Sequence, residues 1–132
     1  KKTQVVLFKP LQKKADIRCT VKFAGTNLFL SSKVNYLGVL IDSSLTWRPH
    51  INELAKKLNR SAAIIAKLQH FVPLKTLKGI YFSLFQSYLA YGCLVWGYAS
   101  KCDLRRLYLI QKRVIRIITS SDYYERTSPL FA

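Results

Sequence analysis

The hydrophobic pattern of this chain changes its period close to Asp42, and this change constrains the fold more than any other feature. Before it, apolar residues at positions 17, 19, 21 and 23 alternate with polar ones, which is typical of a strand with one solvated face. After it, apolar or small residues recur every three or four positions, at Ile51, Leu54, Leu58, Ser61, Ile65, Leu68 and Val72. The sequence therefore predicts an α+β chain, with a short antiparallel β portion followed by helices.

The first third of the chain predicts several short strands. Residues 5–8 form a continuous apolar run, which is typical of a strand covered on both faces, and Pro10 closes it. Residues 24–27 have the composition of a turn, so a return strand is expected at 28–30. One further strand is predicted over residues 34–41, directly before Asp42.

Three helices are predicted after Asp42. The first carries the apolar seam, with Thr46 as its N-cap and Pro73 as its stop. The second, over residues 74–91, is apolar nearly all round, so we expect it to be the central helix. The third begins at Ser100 and runs to about Ser120. Because the connections are short, the helices are expected to form a three-helix bundle of antiparallel neighbours.

The charge of the chain indicates a polyanionic partner. Its 22 Lys and Arg residues face only 6 Asp and Glu residues, which gives a formal net charge of +16 and a pI near 10.1. A surface with this imbalance attracts phosphates over long distances. Nucleic acid is therefore the expected partner of a basic domain of this size.

Two of the predicted helices carry basic stripes that almost no acidic residue balances. The candidate nucleic-acid-binding residues are Lys56, Arg60 and Lys67 on the first helix, and Arg105, Arg106, Lys112, Arg113 and Arg116 on the third. A single charged stripe is usually only a solvated face. Ordinary exposed helices, however, mix both signs of charge, because like charges three or four residues apart weaken a helix. Two unbalanced stripes therefore favour contact with phosphates, which positions a backbone without reading sequence.

Aromatic residues lie among the basic ones. They are Tyr81, Tyr88, Tyr91, Trp96, Tyr98 and Tyr108. Such side chains stack on nucleotide bases. Their helical spacing within an apolar segment favours core packing for most of them, and Trp47 is expected to anchor the start of the first helix.

The acidic residues do not form the cluster that two-metal phosphoryl transfer requires. Asp16, Asp42, Glu53, Asp103, Asp122 and Glu125 are scattered, with no DxD or DD pair. Catalysis of that kind needs carboxylates that hold two ions beside one phosphate. We therefore expect no catalytic residue of this chemistry, no metal site and no bound cofactor within the chain itself.

The histidines and cysteines also indicate structural roles. His50 and His70 are too far apart in sequence to share a metal on one helix, so capping or surface roles are expected. Cys19, Cys93 and Cys102 are an odd number without CxxC spacing, which favours reduced thiols. Residues 79–100 carry no formal charge and have the length of a membrane span, but their tyrosines are spread through the middle, which favours a buried helix and no membrane partner.

Four segments of the chain, in order, resemble the reverse transcriptases of non-LTR (LINE-type) retrotransposons. Residues 35–51, NYLGVLIDSSLTWRPHI, resemble the segment that follows the catalytic palm motifs in that family. Residues 1–8, KKTQVVLF, resemble its KT strand near the end of the palm. Residues 88–97, YLAYGCLVWG, and 107–119, LYLIQKRVIRIIT, resemble two patterns of its thumb.

The resemblance implies a division of the chain and a role for each part. Residues 1–44 would be the end of the palm with primer-grip-like strands, 45–121 a helical thumb, and 122–132 an exit segment. Tyr36, Leu37 and Gly38 would form the primer grip, and Lys2 matches the KT lysine, for which proton donation to pyrophosphate is inferred by analogy.

The resemblance also implies partners that lie outside this chain. The catalytic aspartates and the Mg²⁺ of the full polymerase would belong to an upstream palm and fingers of the same polyprotein, so that the chain is expected to be a fragment. RNA template and DNA primer would be its partners, inside the cell in nucleus and cytoplasm as a ribonucleoprotein. The alternative is a stand-alone nucleic-acid-binding module without enzymatic activity.

Overall fold

The computed structural model describes residues 3–10, 21–23 and 25–121, and it forms two compact units that divide between His50 and Ile51. The first unit contains the β-strands and the second contains most of the helical residues. The predicted α+β order, a short β portion and then helices, is confirmed.

Two short antiparallel hairpins form the β portion. Strand β1, Val21–Phe23, pairs with β2, Thr26–Leu28, so the return strand begins two residues earlier than the sequence predicted. Strand β3, Lys33–Tyr36, pairs with β4, Val39–Asp42. The single strand predicted over residues 34–41 is therefore wrong, because the chain reverses at its middle.

The reversal between β3 and β4 has a specific backbone geometry. Leu37 has a φ of 47° and Gly38 a φ of 81°, so both residues of the two-residue turn are left-handed. This is the pattern of a type I′ turn, whose twist matches that of the flanking strands. Glycine adopts this conformation freely, whereas a leucine pays a steric cost.

The apolar run at residues 5–8 does not form the doubly covered strand that we expected. Within the described residues, Val5 makes an isolated parallel bridge with Leu30, and the Ser31 N–H donates to the Val5 carbonyl at 2.8 Å. Phe8 is 53% exposed. A continuous apolar run predicts burial on both faces, but pairing at a single bridge leaves much of the surface of this run exposed.

The loop between β4 and the first helix is organised by the carboxylate of Asp42. Its Oδ2 atom accepts hydrogen bonds from the Thr46 N–H at 3.1 Å and the Thr46 hydroxyl at 2.9 Å, and its Oδ1 accepts from the Trp47 N–H at 2.9 Å. Thr46 is not at the N-cap position that the sequence predicted, because the helix begins at Arg48 and Trp47 is the residue directly before it. The loop holds Leu45 and Trp47 at φ values of 52° and 61°, and the helix begins at Arg48.

His50 makes a second hydrogen-bonded contact between β4 and the start of the helix. The side chain is buried, and its Nδ1 atom accepts a hydrogen bond from the Leu40 N–H at 3.2 Å. Of the two roles expected for His50, the surface role is wrong, because the side chain is buried where the first turn of the helix lies beside the strand. His70 is exposed, as expected.

Helix α1, Arg48–Leu68, buries the predicted seam. Its most enclosed side chains are Ile51, Leu54, Ala55, Leu58, Ser61, Ala62 and Ile65. The helix ends four residues before Val72, and Pro73 instead precedes the next helix. The seam therefore sets the face of α1 that forms the core.

The return segment runs from residue 74 to 90 and is helical throughout. It consists of α2, Leu74–Ile80, a π-helical stretch, Tyr81–Gln86, and α3, Ser87–Ala90. The Ser61 hydroxyl donates to the Leu84 carbonyl at 3.3 Å, and Lys57 Nζ lies 5.7 Å from the centre of the Tyr88 ring. Earlier residues of α1 thus meet later residues of the return segment, so the two are antiparallel.

Helix α5, Lys101–Thr119, follows the short helix α4, Cys93–Trp96, and completes the bundle. It begins as predicted, with the Ser100 hydroxyl accepting from the Asp103 N–H at 3.2 Å. Gln111 Nε2 donates to the Tyr81 hydroxyl at 3.0 Å, and Tyr81 donates to Gln86 Oε1 at 3.1 Å. With Leu107 and Val114 buried, the three-helix bundle is confirmed.

The return segment is not the central, all-round-buried helix that its composition indicated. Leu77, Tyr81 and Phe85 are buried, but Phe82 is 63% exposed and Tyr88 is 40% exposed. Three helices packed together have no central member, so each is covered on one side only. Across the part of the chain that the structure describes, no helix combines the length and apolar content needed to cross a bilayer.

The Asp42 loop predicts a pH-dependent stability. Burial raises the pKa of the Asp42 carboxyl, but the hydrogen bonds from Thr46 and Trp47 lower it by more, so the pKa is below its ordinary value. Its stabilisation is therefore complete above the unfolded-state pKa of about 4 and is lost as the pH falls through the folded-state pKa. Asp42→Asn should cost about 1 kcal/mol at neutral pH.

The measurement is the free energy of unfolding in urea, at neutral pH and in steps below about pH 4. The difference between the parent chain and Asp42→Asn should shrink as the pH falls. A difference that stays constant with pH would show that the loop does not depend on the ionised carboxylate.

The β3–β4 turn predicts a stabilising substitution. Asn–Gly is the preferred pair for a type I′ turn, and Leu37 is 73% exposed. Leu37→Asn should therefore raise the free energy of unfolding by up to about 1 kcal/mol, because Asn tolerates the left-handed conformation. Leu37→Ala is the control, since it shortens the side chain without relieving the strain. Equal effects of both substitutions would contradict the assigned turn.

Candidate nucleic-acid interface

Helices α1 and α5 run in the same direction, because each is antiparallel to the return segment between them. Near the first turns of both, Arg106 Nη1 donates to Asn52 Oδ1 at 2.7 Å. At their C-terminal ends, the residues that follow α1 share a groove with α5. The two predicted basic helices are thus neighbours in parallel.

This groove, which we call the α1–α5 groove, has a volume of about 790 Å³. Gln69 and His70, which directly follow α1, line one side of the groove. The α5 side contributes Leu109, Lys112, Arg113, Arg116 and Ile117, and the groove ends at Ser120 and Ser121. Three of the five predicted cations of α5 therefore meet in one concave site.

No acidic side chain lines the α1–α5 groove within the described part of the chain. Glu53 lies on α1 and pairs with Lys56 at 2.9 Å; the hydrogen bond and charge of Lys56 lower the pKa of this exposed carboxyl. Asp103 is at the opposite end of α5, where its carboxylate accepts from the Ser100 hydroxyl at 2.6 Å. The groove therefore carries positive charge without a carboxylate among its lining residues.

Lys112 is held in place by an aromatic ring. Its Nζ atom lies 4.6 Å from the centre of the Tyr108 ring, within the range of a cation–π contact. Such a contact restricts a long, flexible side chain before any ligand arrives. Lys57, which is not among the predicted binding residues, makes a similar but longer contact with Tyr88 on the other side of α1.

The remaining predicted cations lie outside the groove. Lys56, Arg60 and Lys67 are exposed on α1, on the face opposite its buried seam. Arg105 is exposed on α5, and Arg106 is bonded to Asn52. The structure thus brings Lys112, Arg113 and Arg116 together and leaves the α1 stripe as a separate exposed row.

Sequence reasoning missed the residues that α1 contributes to the groove. Gln69 and His70 follow the last residue of α1 and carry no pattern of their own. The usable signal was the up-down-up order of the helices, which puts the end of α1 beside the end of α5. Ser120 and Ser121 follow from the same argument.

Most of the singled-out aromatics are exposed, so the expectation of core packing for the majority is wrong. Tyr88, Tyr91, Tyr98 and Tyr108 have exposed fractions of 40%, 56%, 89% and 46%, whereas Tyr81 and Trp96 are buried. Helical spacing identifies a face but does not say whether another element covers it. Trp47 is half-buried at the start of α1, as expected.

The primer-grip-like residues lie at the tip of the β3–β4 hairpin rather than inside a strand. Tyr36 ends β3 and is 65% exposed, and Leu37 and Gly38 form the turn. These side chains are available to a ligand. Lys2 and the predicted exit segment, 122–132, lie outside the described residues.

Metal-binding side chains do not converge in the residues that the structure describes, where no group of three His, Cys, Asp or Glu could hold an ion. Asp42, Glu53 and Asp103 occupy three separate places, and the Asp42 oxygens accept three hydrogen bonds from its own loop. These carboxylates do not fit a two-metal site. Cys93 and Cys102 are exposed free thiols, and Cys19 lies outside the described residues.

Comparison with known proteins gives relatives over most of this chain. The chain is 31% identical over 96 residues to the RNA-directed DNA polymerase from mobile element jockey of Drosophila melanogaster. The aligned residues make up 70% of this chain and 10% of that protein. It is 30% identical over 98 residues to the "Probable RNA-directed DNA polymerase from transposon X-element" of the same species. This alignment covers 72% of the chain and 11% of that protein.

A third relative extends the match. The "Probable RNA-directed DNA polymerase from transposon BS" of Drosophila melanogaster is 26% identical over 117 residues, which cover 86% of the chain and 13% of that protein. The chain thus spans about a tenth of the length of these relatives. No protein-family model matches it, and no solved structure matches it. The chain is therefore related to one short segment of the RNA-directed DNA polymerases of non-LTR retrotransposons, as its motifs predicted.

Proposed function

We propose that this chain is the primer-grip and thumb portion of an RNA-directed DNA polymerase of a non-LTR element. Its helical unit would hold the RNA/DNA duplex by its phosphates. The observation that carries the proposal is the set of cations on two parallel helices, three of which line a groove that has no carboxylate among its described lining residues. The relatives are named as RNA-directed DNA polymerases, which supports the polymerase part of the proposal.

The arrangement of the cations suits a backbone rather than a base sequence. Lys56 lies one turn after Asn52, and Asn52 contacts Arg106, so the exposed row of α1 runs beside the basic side of α5. Lysine and arginine side chains on such rows contact phosphates, and these contacts do not distinguish bases. A polymerase that copies any template needs a product-binding surface of this kind.

The β3–β4 hairpin suits the positioning of a strand end. Its type I′ turn presents Tyr36 and Leu37 to solvent on a short, defined connection. At the other end of β4, the Asp42 hydrogen bonds and the Leu40–His50 hydrogen bond fix the chain where α1 begins. A tip supported in this way would hold a primer end in one place while bonds are formed elsewhere.

Bond formation would belong to residues of the polyprotein beyond this chain. The described carboxylates do not fit a pair of Mg²⁺ ions, because they lie in three separate places. The role of Lys2 as a proton donor remains a proposal that rests on the KT resemblance. In this account, the chain contributes binding and positioning of template and primer.

The proposed duplex contact predicts a strong dependence on salt. The affinity for a short RNA/DNA hybrid, measured by fluorescence anisotropy, should fall on a logarithmic scale by roughly 0.7 to 0.9 per neutralised phosphate for each tenfold rise in salt. Changing the sequence of the hybrid at constant length should have little effect. An affinity that does not change with salt would contradict phosphate binding.

Charge reversal tests which face makes the contact. Arg60→Glu, Lys67→Glu, Arg105→Glu and Arg113→Glu together should weaken hybrid binding by more than about tenfold and reduce the salt slope, because four phosphate contacts are lost. All four side chains are exposed, so little effect on folding is expected.

The matched control reverses four other exposed lysines, Lys22, Lys75, Lys78 and Lys101. It changes the net charge equally, with circular dichroism to confirm that both variants fold. Equal loss of affinity in the two variants would show that only net charge matters and would contradict the assigned face.

A further inference from the structure

We propose that the α1–α5 groove binds one unpaired nucleotide of a single-stranded nucleic acid, in addition to the duplex contact along the exposed rows. This inference rests on the proposed function, because it takes the helical unit to be a nucleic-acid-binding unit. It adds a second substrate class, whose base would enter the groove, while the cations at the rim of the groove contact the phosphates of either ligand.

The first argument is the composition of the groove walls. Leu109 is 54% exposed and lines the groove together with Lys112, Arg113 and Arg116, and Ile117 is a second aliphatic lining residue. A sugar-phosphate backbone gains little from aliphatic side chains, whereas the flat face of a base is apolar and buries such surface favourably. An aliphatic wall inside a cationic groove therefore fits a ligand that has an apolar face and a phosphate.

The second argument is access. Bases of a duplex are stacked on one another, so their faces cannot reach a concave site without unstacking. An unpaired nucleotide can insert its base and leave its phosphates at the rim. The groove volume of about 790 Å³ lies within the range of small-ligand sites, so one nucleotide can enter it.

The third argument is the position of the cations along α5. A helix C-terminus attracts positive side chains within its last turn, and Arg116 is in that turn. Lys112 and Arg113 lie more than one turn before Thr119, so the helix dipole does not account for them. Lys112 is also held by Tyr108, which fixes its ammonium group beside the groove.

The fourth argument is the polar end of the groove. Gln69 and His70 side chains are within 3.0 Å of each other, and both line the groove together with Ser120 and Ser121. Amide, imidazole and hydroxyl groups donate and accept hydrogen bonds and suit the edge of a base. The groove thus offers an apolar wall, a cationic rim and a polar end to one nucleotide.

The test compares single strands with a hybrid. Fluorescence anisotropy would measure binding of the 132-residue chain to a labelled RNA strand, a DNA strand of the same sequence and a blunt RNA/DNA hybrid of the same length. Leu109→Ser should weaken binding of single strands by about fivefold, because it removes part of the apolar wall, and should leave hybrid binding unchanged. Leu94→Ser is the matched control, since Leu94 is 86% exposed and lies outside the groove.

A second readout is independent of affinity. Methyl resonances of Leu109 and Ile117 should shift on addition of the single strand and stay in place on addition of the hybrid. The contrary result is that both ligands bind while Leu109→Ser leaves both affinities unchanged or lowers both equally, and while the methyl resonances stay in place. That result would overturn the groove inference and leave the duplex proposal standing. If no nucleic acid binds, both are overturned. Comparison of the RNA and DNA arms would show which strand the groove prefers.

Discussion

Burial of one face of α1 is the constraint on which the helical unit depends. Leu58 and Ile65 of α1 are fully enclosed, as are Phe85 of the return segment and Val114 of α5. Each of the three segments contributes one apolar face to this core, so each keeps another face for solvent. The alternating order then makes α1 and α5 parallel neighbours, and this brings the end of α1 beside the cations of α5.

The distribution of charge follows from that packing. The core occupies the apolar faces, and the lysines and arginines that cannot enter it are displayed on the outside of α1 and α5. The described acidic residues act locally, at the Asp42 loop, at Lys56 and at the start of α5, and none of them lines the α1–α5 groove. The result is a groove whose described lining residues carry positive charge without a carboxylate, which is the electrostatic basis of the proposed nucleic-acid binding.

The sequence predicted those features that depend on periodicity and local chemistry. The α1 seam, the Ser100 start of α5 and the order of β portion and helices are all confirmed, because residue spacing determines which face is apolar. It did not predict the reversal at Leu37, since one glycine in an apolar run gives a weak turn signal. The sequence also predicted burial for tyrosines that are exposed and a capping or surface role for His50, which is buried. Burial depends on which element packs against a helix face, and the residues of that face alone do not reveal it. The groove could not be predicted in the same way, because it forms where the end of α1 packs beside the end of α5, and these two ends are far apart in sequence.

The central claim is that nucleic acid lies against the basic sides of α1 and α5. Acetylation of lysines, mapped by mass spectrometry with and without an RNA/DNA hybrid, tests this position directly. Our account predicts that the hybrid protects Lys56, Lys67 and Lys112, whereas Lys75 and Lys78 on α2 remain reactive. Protection of α2 with continued reactivity of Lys67 and Lys112, or equal protection of all five, would contradict it.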